Sequence, residues 1–301
     1  MKAKKSATYA AIDIGSNGAR LLVKRFTPRE DAPALIEGLI FVRVPLRLGQ
    51  DVFTLGKISE KRYDMMKHMM KGYAQFMKFF DVDRYRACAT SAMRDAENGQ
   101  EVLQRLEEDT GIKLEIIKGK EEAGLLSDNL VEKTDSNEGV FAYIDVGGGS
   151  TEVSLIHDGK FTASRSYNIG TLRLLAGQVT RDEWDDMRRG LSDFSSKFGK
   201  VTIIGSGGNI NKLCKLANDK KSKQITVDNL RSMYEVMKPL SVEERMARWS
   251  LKADRADVIV PAAEIFLTCA ECLECDVILV PNISLADSIV DWMYKHYMLD
   301  S

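Results

Sequence analysis

The sequence predicts an α/β protein built from two related domains, and three observations carry that expectation. β-rich runs alternate with amphipathic helical stretches along the chain. Two distant segments resemble each other: Tyr9-Ala-Ala-Ile-Asp-Ile-Gly-Ser-Asn-Gly-Ala-Arg-Leu-Leu-Val23 and Phe141-Ala-Tyr-Ile-Asp-Val-Gly-Gly-Gly-Ser-Thr-Glu-Val-Ser-Leu155. Finally, 301 residues suit two domains at roughly 100–200 residues each. Aligned without gaps, the segments place Asp13 on Asp145 and Gly15 on Gly147. That offset of 132 residues is the length of a domain and far too long for a solenoid repeat.

Each repeat reads as an apolar strand ending in Asp, a turn of small residues and a second strand. Beyond the first copy, Arg43 to Gly49 reads as a strand with a loop. Ser59 N-caps a helix with Tyr63, Met66, Met70, Tyr73, Met77 and Phe80 on its apolar face. Met-rich stripes of this kind are flexible core, and the lone His68 among them is structural or exposed. Arg84–Ala89 is a strand, a helix through Val102 and Leu106 stops at Gly111, Leu114–Ile117 is a strand, and 121–131 is a helix. The polar run 132–139 is the expected junction, dividing the chain into domains 1–135 and 136–301. In the second domain, strands are expected at 140–146, 152–157 and 161–166. A helix at 181–198 presents Trp184, Met187, Leu191, Phe194 and Phe198. Val201–Ile204 is a strand entering Gly205-Ser-Gly-Gly208 ahead of a helix. Ser241 and Glu244 form a capping box, followed by a helix at 256–274, a strand at 277–280 and a helix at 284–297. A cleft between the domains is the expected ligand site.

Composition removes several classes of function. With 43 Lys+Arg against 44 Asp+Glu, the chain is no strongly basic nucleic-acid binder. No apolar run reaches the ~18–20 residues of a membrane span. The basic start resembles a signal n-region, but Asp13 interrupts the apolar stretch and no cleavage site follows. The five Cys then read as reduced thiols of a cytoplasmic protein. Cys269, Cys272 and Cys275 have ladder-like spacing, yet in a helical pattern they drift around the axis and cannot all meet one metal.

The paired turns carry the chemistry. Gly15, Ser16, Asn17 and Gly18, and Gly147, Gly148, Gly149, Ser150 and Thr151, let backbone N–H groups and hydroxyls approach an anion. An Asp at each strand end can hold a cation directly or through water. Two such hairpins facing each other would clamp a phosphate and its Mg²⁺.

Together with Asp13-Ile-Gly-Ser-Asn17, Arg47-Leu-Gly49, Ala89-Thr-Ser-Ala-Met-Arg-Asp-Ala96, Gly119-Lys-Glu-Glu-Ala123, Ile144-Asp-Val-Gly-Gly-Gly-Ser-Thr-Glu152, Gly170-Thr-Leu-Arg173, Gly205-Ser-Gly-Gly208 and Arg255-Ala-Asp257, the chain resembles the exopolyphosphatase/guanosine pentaphosphate phosphatase family. The match is to its short two-domain form within the actin-like ATPase, sugar-kinase and heat-shock-chaperone superfamily. The resemblance implies two ribonuclease-H-like domains and Mg²⁺-dependent hydrolysis of a terminal phosphoanhydride, with Mn²⁺ as a substitute ion. It implies polyphosphate or guanosine pentaphosphate as substrate; with no nucleic-acid or membrane partner expected from composition, a homodimer is left open. Such a bond is already activated, so catalysis is positioning, charge neutralisation and aiming a water. Asp13, Asp145 and Glu152 are the expected metal ligands. Ser16, Asn17, Ser91, Arg94, Gly147, Gly148, Gly149 and Ser150 are the expected phosphate-binding residues, and Arg47, Gly207 and Gly208 are further candidates for substrate contact. In the family the carboxylate that activates water precedes Ala in Gly-x-Glu-Glu-Ala, here Glu122, with Glu121 as runner-up. Read without the resemblance, both are first-turn residues that a helix dipole favours.

The match thins at Val280–Ser288, where the family's Gly/Arg/Glu/Gly-rich turn is replaced. Lys212, Lys215, Lys220, Lys221 and Lys223 fit a grip on a polyanion or an ordinary solvated face. Two other classes stand beside the hydrolase: a small-molecule kinase of the superfamily, for which no acceptor signature is visible, and a non-catalytic nucleotide- or polyphosphate-binding protein.

Overall fold

A computed structural model describes residues 6–30, 32–122, 124–125, 139–217, 223–281 and 284–299. The expected boundary at 135/136, the helix beyond 125, Ala123, Lys220, Lys221, Asn282 and Ile283 lie outside these residues. The chain forms two compact units: Met1–Lys118 with Leu285–Ser301, and Gly119–Ser284.

In the first unit, β1 (Ala7–Ile14), β2 (Ala19–Thr27) and β3 (Leu35–Val44) form an antiparallel meander. β4 (Arg84–Ala89) runs parallel to β1, and β5 (Glu115–Ile116) parallel to β4. The sheet order is β3-β2-β1-β4-β5. Central β1 is buried at every position after Ala7, which is why its sequence is a continuous apolar run without alternation. Helices α1 (Leu48–Leu55), α2 (Glu60–Phe79), α3 (Ser91–Asp95) and α4 (Gly99–Thr110) fill the connections. Ser59 caps α2 through its hydroxyl as expected, Tyr63, Met66, Met70, Tyr73 and Met77 are buried, and His68 is exposed.

The second unit opens with α5 (helical residues within 119–125). It repeats the meander in β6 (Val140–Val146), β7 (Thr151–His157) and β8 (Lys160–Tyr167). After α6 (Thr171–Leu175) and α7 (Arg181–Phe198), β9 (Thr202–Ser206) lies parallel to β6. α8 (Gly208–Ala217), β10 (Gln224–Thr226), α9 (Val227–Met237), α10 (Val242–Trp249), α11 (Ala253–Ala256), α12 (Ile259–Cys272) and β11 (Val277–Leu279) complete it. The order is β10-β11-β9-β6-β7-β8. Read from the third strand of each meander, both sheets run 3-2-1-4-5, with β10 added antiparallel to β11 at one edge. The duplicated ribonuclease-H-like fold is therefore present in topology as well as in the hairpin sequence.

Two of the expected helices differ in the structure. The helix expected at 256–274 is the shorter α12 (Ile259–Cys272), preceded by the separate α11, with Pro261 in the opening turn of α12, where its missing N–H costs nothing. The helix at 284–297 is α13 (Leu285–Tyr294) followed by a π-helical turn (Lys295–Leu299). Though expected with 136–301, α13 packs on β1 and β2. There Lys24 bridges Asp287 at 2.9 Å and Asp291 at 3.3 Å, and Tyr294 stacks on Phe26 with centroids 4.4 Å apart.

The junction of α1 and α2 is held by Asp51. Its carboxylate accepts from Arg62 Nη2 at 2.8 Å and Nε at 3.2 Å, and from the Ser59 backbone and hydroxyl. Burial works against its charge, but Arg62 and Ser59 outweigh that and hold its pKa below the ordinary aspartate value. A depressed folded-state pKa stabilises the protein above the unfolded pKa, and the gain is lost as pH falls through the folded one. Asp51→Asn is expected to cost ~2–3 kcal/mol near neutrality, the range for hydrogen bonds to charged groups. In chemical denaturation across pH, the gap to the parent should begin to close near pH ~4 and vanish in stronger acid.

Candidate active site

The first unit carries one group of the expected site residues around the turn after β1. Gly15 N–H donates to Gly18 O at 3.0 Å, closing the turn. Asp13 is buried and faces Arg20 across the β1–β2 ladder, with Arg20 Nη1 2.5 Å from its Oδ2. Ser16 and Ser91, distant in sequence, share a hydrogen bond of 2.8 Å between buried hydroxyls. Thr90 N–H donates to Ile14 O, which brings the start of α3 to the turn. Arg94, one turn further along α3, donates from Nη1 to Ile117 O at 2.9 Å. Arg47 precedes α1 in a left-handed conformation (φ 56°), its N–H donating to Asn17 O at 3.1 Å, while Gly49 N–H donates to Ser16 O at 2.8 Å. Near Asp13, burial pushes up both the Tyr73 phenol and the Cys88 thiol. Neither ionises near neutral pH, so neither supplies a nucleophile.

The second unit carries the other group. Gly147 N–H donates to Ser150 O at 2.9 Å, the same closure as at Gly15. Asp145 stands directly opposite Glu152 on the β6–β7 ladder. Glu152 is 2% exposed, and its Oε1 accepts from Ser150 Oγ at 2.7 Å and Ser166 Oγ at 2.9 Å. Gly207 lies against Asp145: a Cβ there would sit 3.0 Å from Asp145 Oδ1. Gly208 leaves room for the Arg255 guanidinium, which donates to Asn209 Oδ1 at 2.8 Å. Glu122 is 6% exposed on α5 whereas Glu121 is exposed. The start of α5 sits tight against β8: a Cβ on Gly119 would fall 2.5 Å from Ser166 Cβ and 4.0 Å from Glu152 Oε1. Glycine at 119 therefore lets the helix bearing Glu122 approach the Glu152 region.

The two hairpins differ at one informative position. Where Asp13 faces an arginine, Asp145 faces a second carboxylate. Like charges directly opposite in a ladder are destabilising, and a divalent cation would relieve the pair. The donors are hard oxygens, the chemistry Mg²⁺ and Mn²⁺ prefer. Among the described residues no three His, Cys, Asp or Glu gather as a ready cage, so water and phosphate oxygens would complete the shell, as is usual for Mg²⁺.

The Ppx/GppA phosphatase family model matches residues 32–296. The chain belongs to this family. As a Ppx/GppA phosphatase it is a phosphoanhydride hydrolase. Exopolyphosphatase 1 of Mycobacterium tuberculosis is 27% identical over 278 residues, covering 84% of this chain and 78% of that protein. Its counterpart in Mycobacterium leprae is 26% identical over the same length. The crystal structure of the Aquifex aeolicus Ppx/GppA family member has 27% identity and a TM-score of 0.76, over 97% of this chain and 99% of that one. An exopolyphosphatase from Cytophaga hutchinsonii has a TM-score of 0.84 at 20% identity, over 96% and 98% of the chains, and speaks for the fold alone.

Within this Ppx/GppA chain, sequence reasoning passed over two arginines. Arg20, the partner of Asp13, aligns in the repeat with Glu152, a signal readable once strand register is known. Arg173, quoted only as part of a motif, donates from Nε to Gly149 O at 2.8 Å. Of the three clustered cysteines, Cys269 and Cys272 lie on α12 and Cys275 beyond its end, not in the helical run the sequence suggested. Cys269 is enclosed in the hydrophobic core, and burial pushes the Cys269, Cys272 and Cys275 thiols up.

Proposed function

We propose that the chain is an exopolyphosphatase, releasing terminal phosphate from inorganic polyphosphate with Mg²⁺ or Mn²⁺. The observation that carries this reading is the Asp145–Glu152 pair beneath a glycine turn, in the same unit as the buried Glu122. Asp145 and Glu152 would hold the cation, which would supply neutralisation of charge on the phosphate oxygens. Asp13, kept in place by Arg20, would support it from the first hairpin. N–H groups of the Gly147–Ser150 turn, with Ser16, Asn17, Ser91 and Arg94, bind phosphate oxygens, Arg94 in the fork geometry that suits a phosphate. Arg47, Gly207 and Gly208 are assigned to the substrate beyond the terminal group. Glu122 takes a proton from water as its oxygen bonds to the terminal phosphorus. The bridging P–O bond breaks, and its electron pair leaves with the shortened chain. Burial of Glu122 and exposure of Glu121 support this choice between the two. Guanosine pentaphosphate offers the same terminal bond and is the second substrate of this reading. Among the described residues no helix is long and apolar enough to cross a membrane, and five free thiols suit a reducing cytoplasm.

The test is phosphate release from polyphosphate, guanosine pentaphosphate and ATP side by side, with Mg²⁺ and with chelator. Polyphosphate is expected to turn over fastest, and chelator to abolish turnover. A preference for guanosine pentaphosphate would reassign the substrate. Binding of polyphosphate without release from any of the three would make the chain a binding protein, and phosphoryl transfer from ATP to a small acceptor would make it a kinase.

A further inference from the structure

The second phosphate turn is clamped from behind. Thr171 N–H donates to Gly147 O at 3.0 Å, and Leu172 and Arg173 N–H both donate to Gly148 O, at 2.7 and 3.1 Å. The Arg173 guanidinium, through Nε, takes Gly149 O at 2.8 Å. Three successive carbonyls are thus drawn to one segment. In a planar trans peptide the C=O of one residue and the N–H of the next point in opposite directions, and no peptide among the described residues is cis. The N–H groups of Gly148, Gly149 and Ser150 therefore point away from the donors that hold the preceding carbonyls, successive backbone donors of the kind that can cradle an anion. Gly170 underlies the arrangement: a Cβ there would fall 2.4 Å from Gly149 C and 2.5 Å from Ser150 N. Any side chain at 170 would push the clamp off the turn.

The first unit repeats the device with one change. Its turn carbonyls are also held by the segment after the third strand, Ser16 O by Gly49 N–H and Asn17 O by Arg47 N–H. In the hairpin alignment Asn17 corresponds to Gly149. The backbone N–H that serves Asn17 in one copy is replaced by a side chain, Arg173, in the other. We propose that Arg173 is a positioning residue that aims the N–H groups of Gly148, Gly149 and Ser150 at a substrate phosphate. This deepens the function proposed above and rests on it for the identity of the substrate. Acting on substrate through the turn, Arg173 supports ground-state and transition-state binding alike, and its loss weakens both. That signature is a raised KM with little change in kcat.

The full chain labelled with ¹⁵N-glycine, titrated with inorganic phosphate and followed by NMR, tests the cradle directly. Gly148 and Gly149 amide resonances are expected to shift in the parent, and Arg173→Met to weaken phosphate binding ~10-fold. In steady-state assays the same variant should raise KM ~10-fold, the size of one lost charge-assisted hydrogen bond, with kcat within ~3-fold. Arg173→Lys, which keeps a charged donor, should recover part of the loss. A folded Arg173→Met chain with parental KM and phosphate affinity overturns the proposal, as do silent Gly148 and Gly149 amides in an active parent. That second result needs no variant to fold. If instead the parent releases no phosphate from polyphosphate while those amides respond as expected, the substrate assignment fails and the clamp stands.

Discussion

Glu122→Gln is expected to slow phosphate release by ~10²–10⁴, the usual worth of a general base, while the protein stays folded and binds substrate nearly as well. The change keeps the side chain's shape and removes only its ability to take a proton from water. The loss should therefore fall on kcat more than on KM. Burial sharpens the contrast with its neighbour. Glu121 is exposed and projects about 100° away around the helix, so Glu121→Gln should stay within a few-fold of the parent. Steady-state phosphate release from both variants, with folding checked by circular dichroism, decides the matter. A dead Glu121→Gln beside an active Glu122→Gln would move the base by one residue. Full activity in both would remove the general base from the mechanism. Gly119→Val supplies a control of another kind, because a side chain there collides with Ser166 and displaces the start of α5 without touching either carboxylate.

Much of the fold was legible because its most telling unit is local. A strand, a tight turn and a second strand lie within fifteen residues, and their repetition states the duplication without any long-range information. What escaped the sequence was set by partners distant along the chain. β3 sits at a sheet edge, with Leu35, Ile36 and Phe41 exposed. Its pairing with β2 skips Leu39 between Gly38 and Ile40, and such a bulge breaks the two-residue alternation that identifies a strand. The apolar face of α13 announces a helix that must be covered but does not name the sheet that covers it. Lys24 and Phe26, more than 260 residues upstream, supply that answer.

The candidate site divides in the same way. Residue type and spacing located the turns, because anion-binding turns need small residues in sequence. By themselves they did not separate Glu121 from Glu122, since both fit the first turn of a helix; the family motif favours Glu122, and its burial beside an exposed Glu121 points the same way. The meaning of Arg20 against Glu152 appeared through ladder register, which sets one opposite Asp13 and the other opposite Asp145. Arg173 was hidden for another reason. It reaches a carbonyl 24 residues away, and no periodicity connects a guanidinium to a loop it supports from behind.

Asp145→Asn is expected to lower phosphate release at least ~100-fold at limiting metal. Changes even to groups that only support metal ligands cost 10–100-fold in affinity or activity. Asp145 and Glu152 stand opposite each other in the ladder, and like charges so placed are destabilising, which a cation would offset. Removing one charge relieves the repulsion, and the thermal midpoint of Asp145→Asn in chelator should equal or exceed the parent's. Loss of function without loss of stability separates a damaged metal site from a damaged fold. Glu152→Gln should behave similarly in activity, with an added stability loss because Ser150 and Ser166 donate to that carboxylate. Asp13→Asn should differ from both. Its partner is already a cation, Arg20, so its metal requirement should move far less than that of Asp145→Asn. Activity titrated with Mg²⁺ and Mn²⁺, alongside calorimetric Mn²⁺ binding to each variant, reads all three. An Asp145→Asn chain with the parent's metal midpoint would place the cation elsewhere, and an Asp13→Asn chain that alone lost Mn²⁺ binding would place it on the first hairpin.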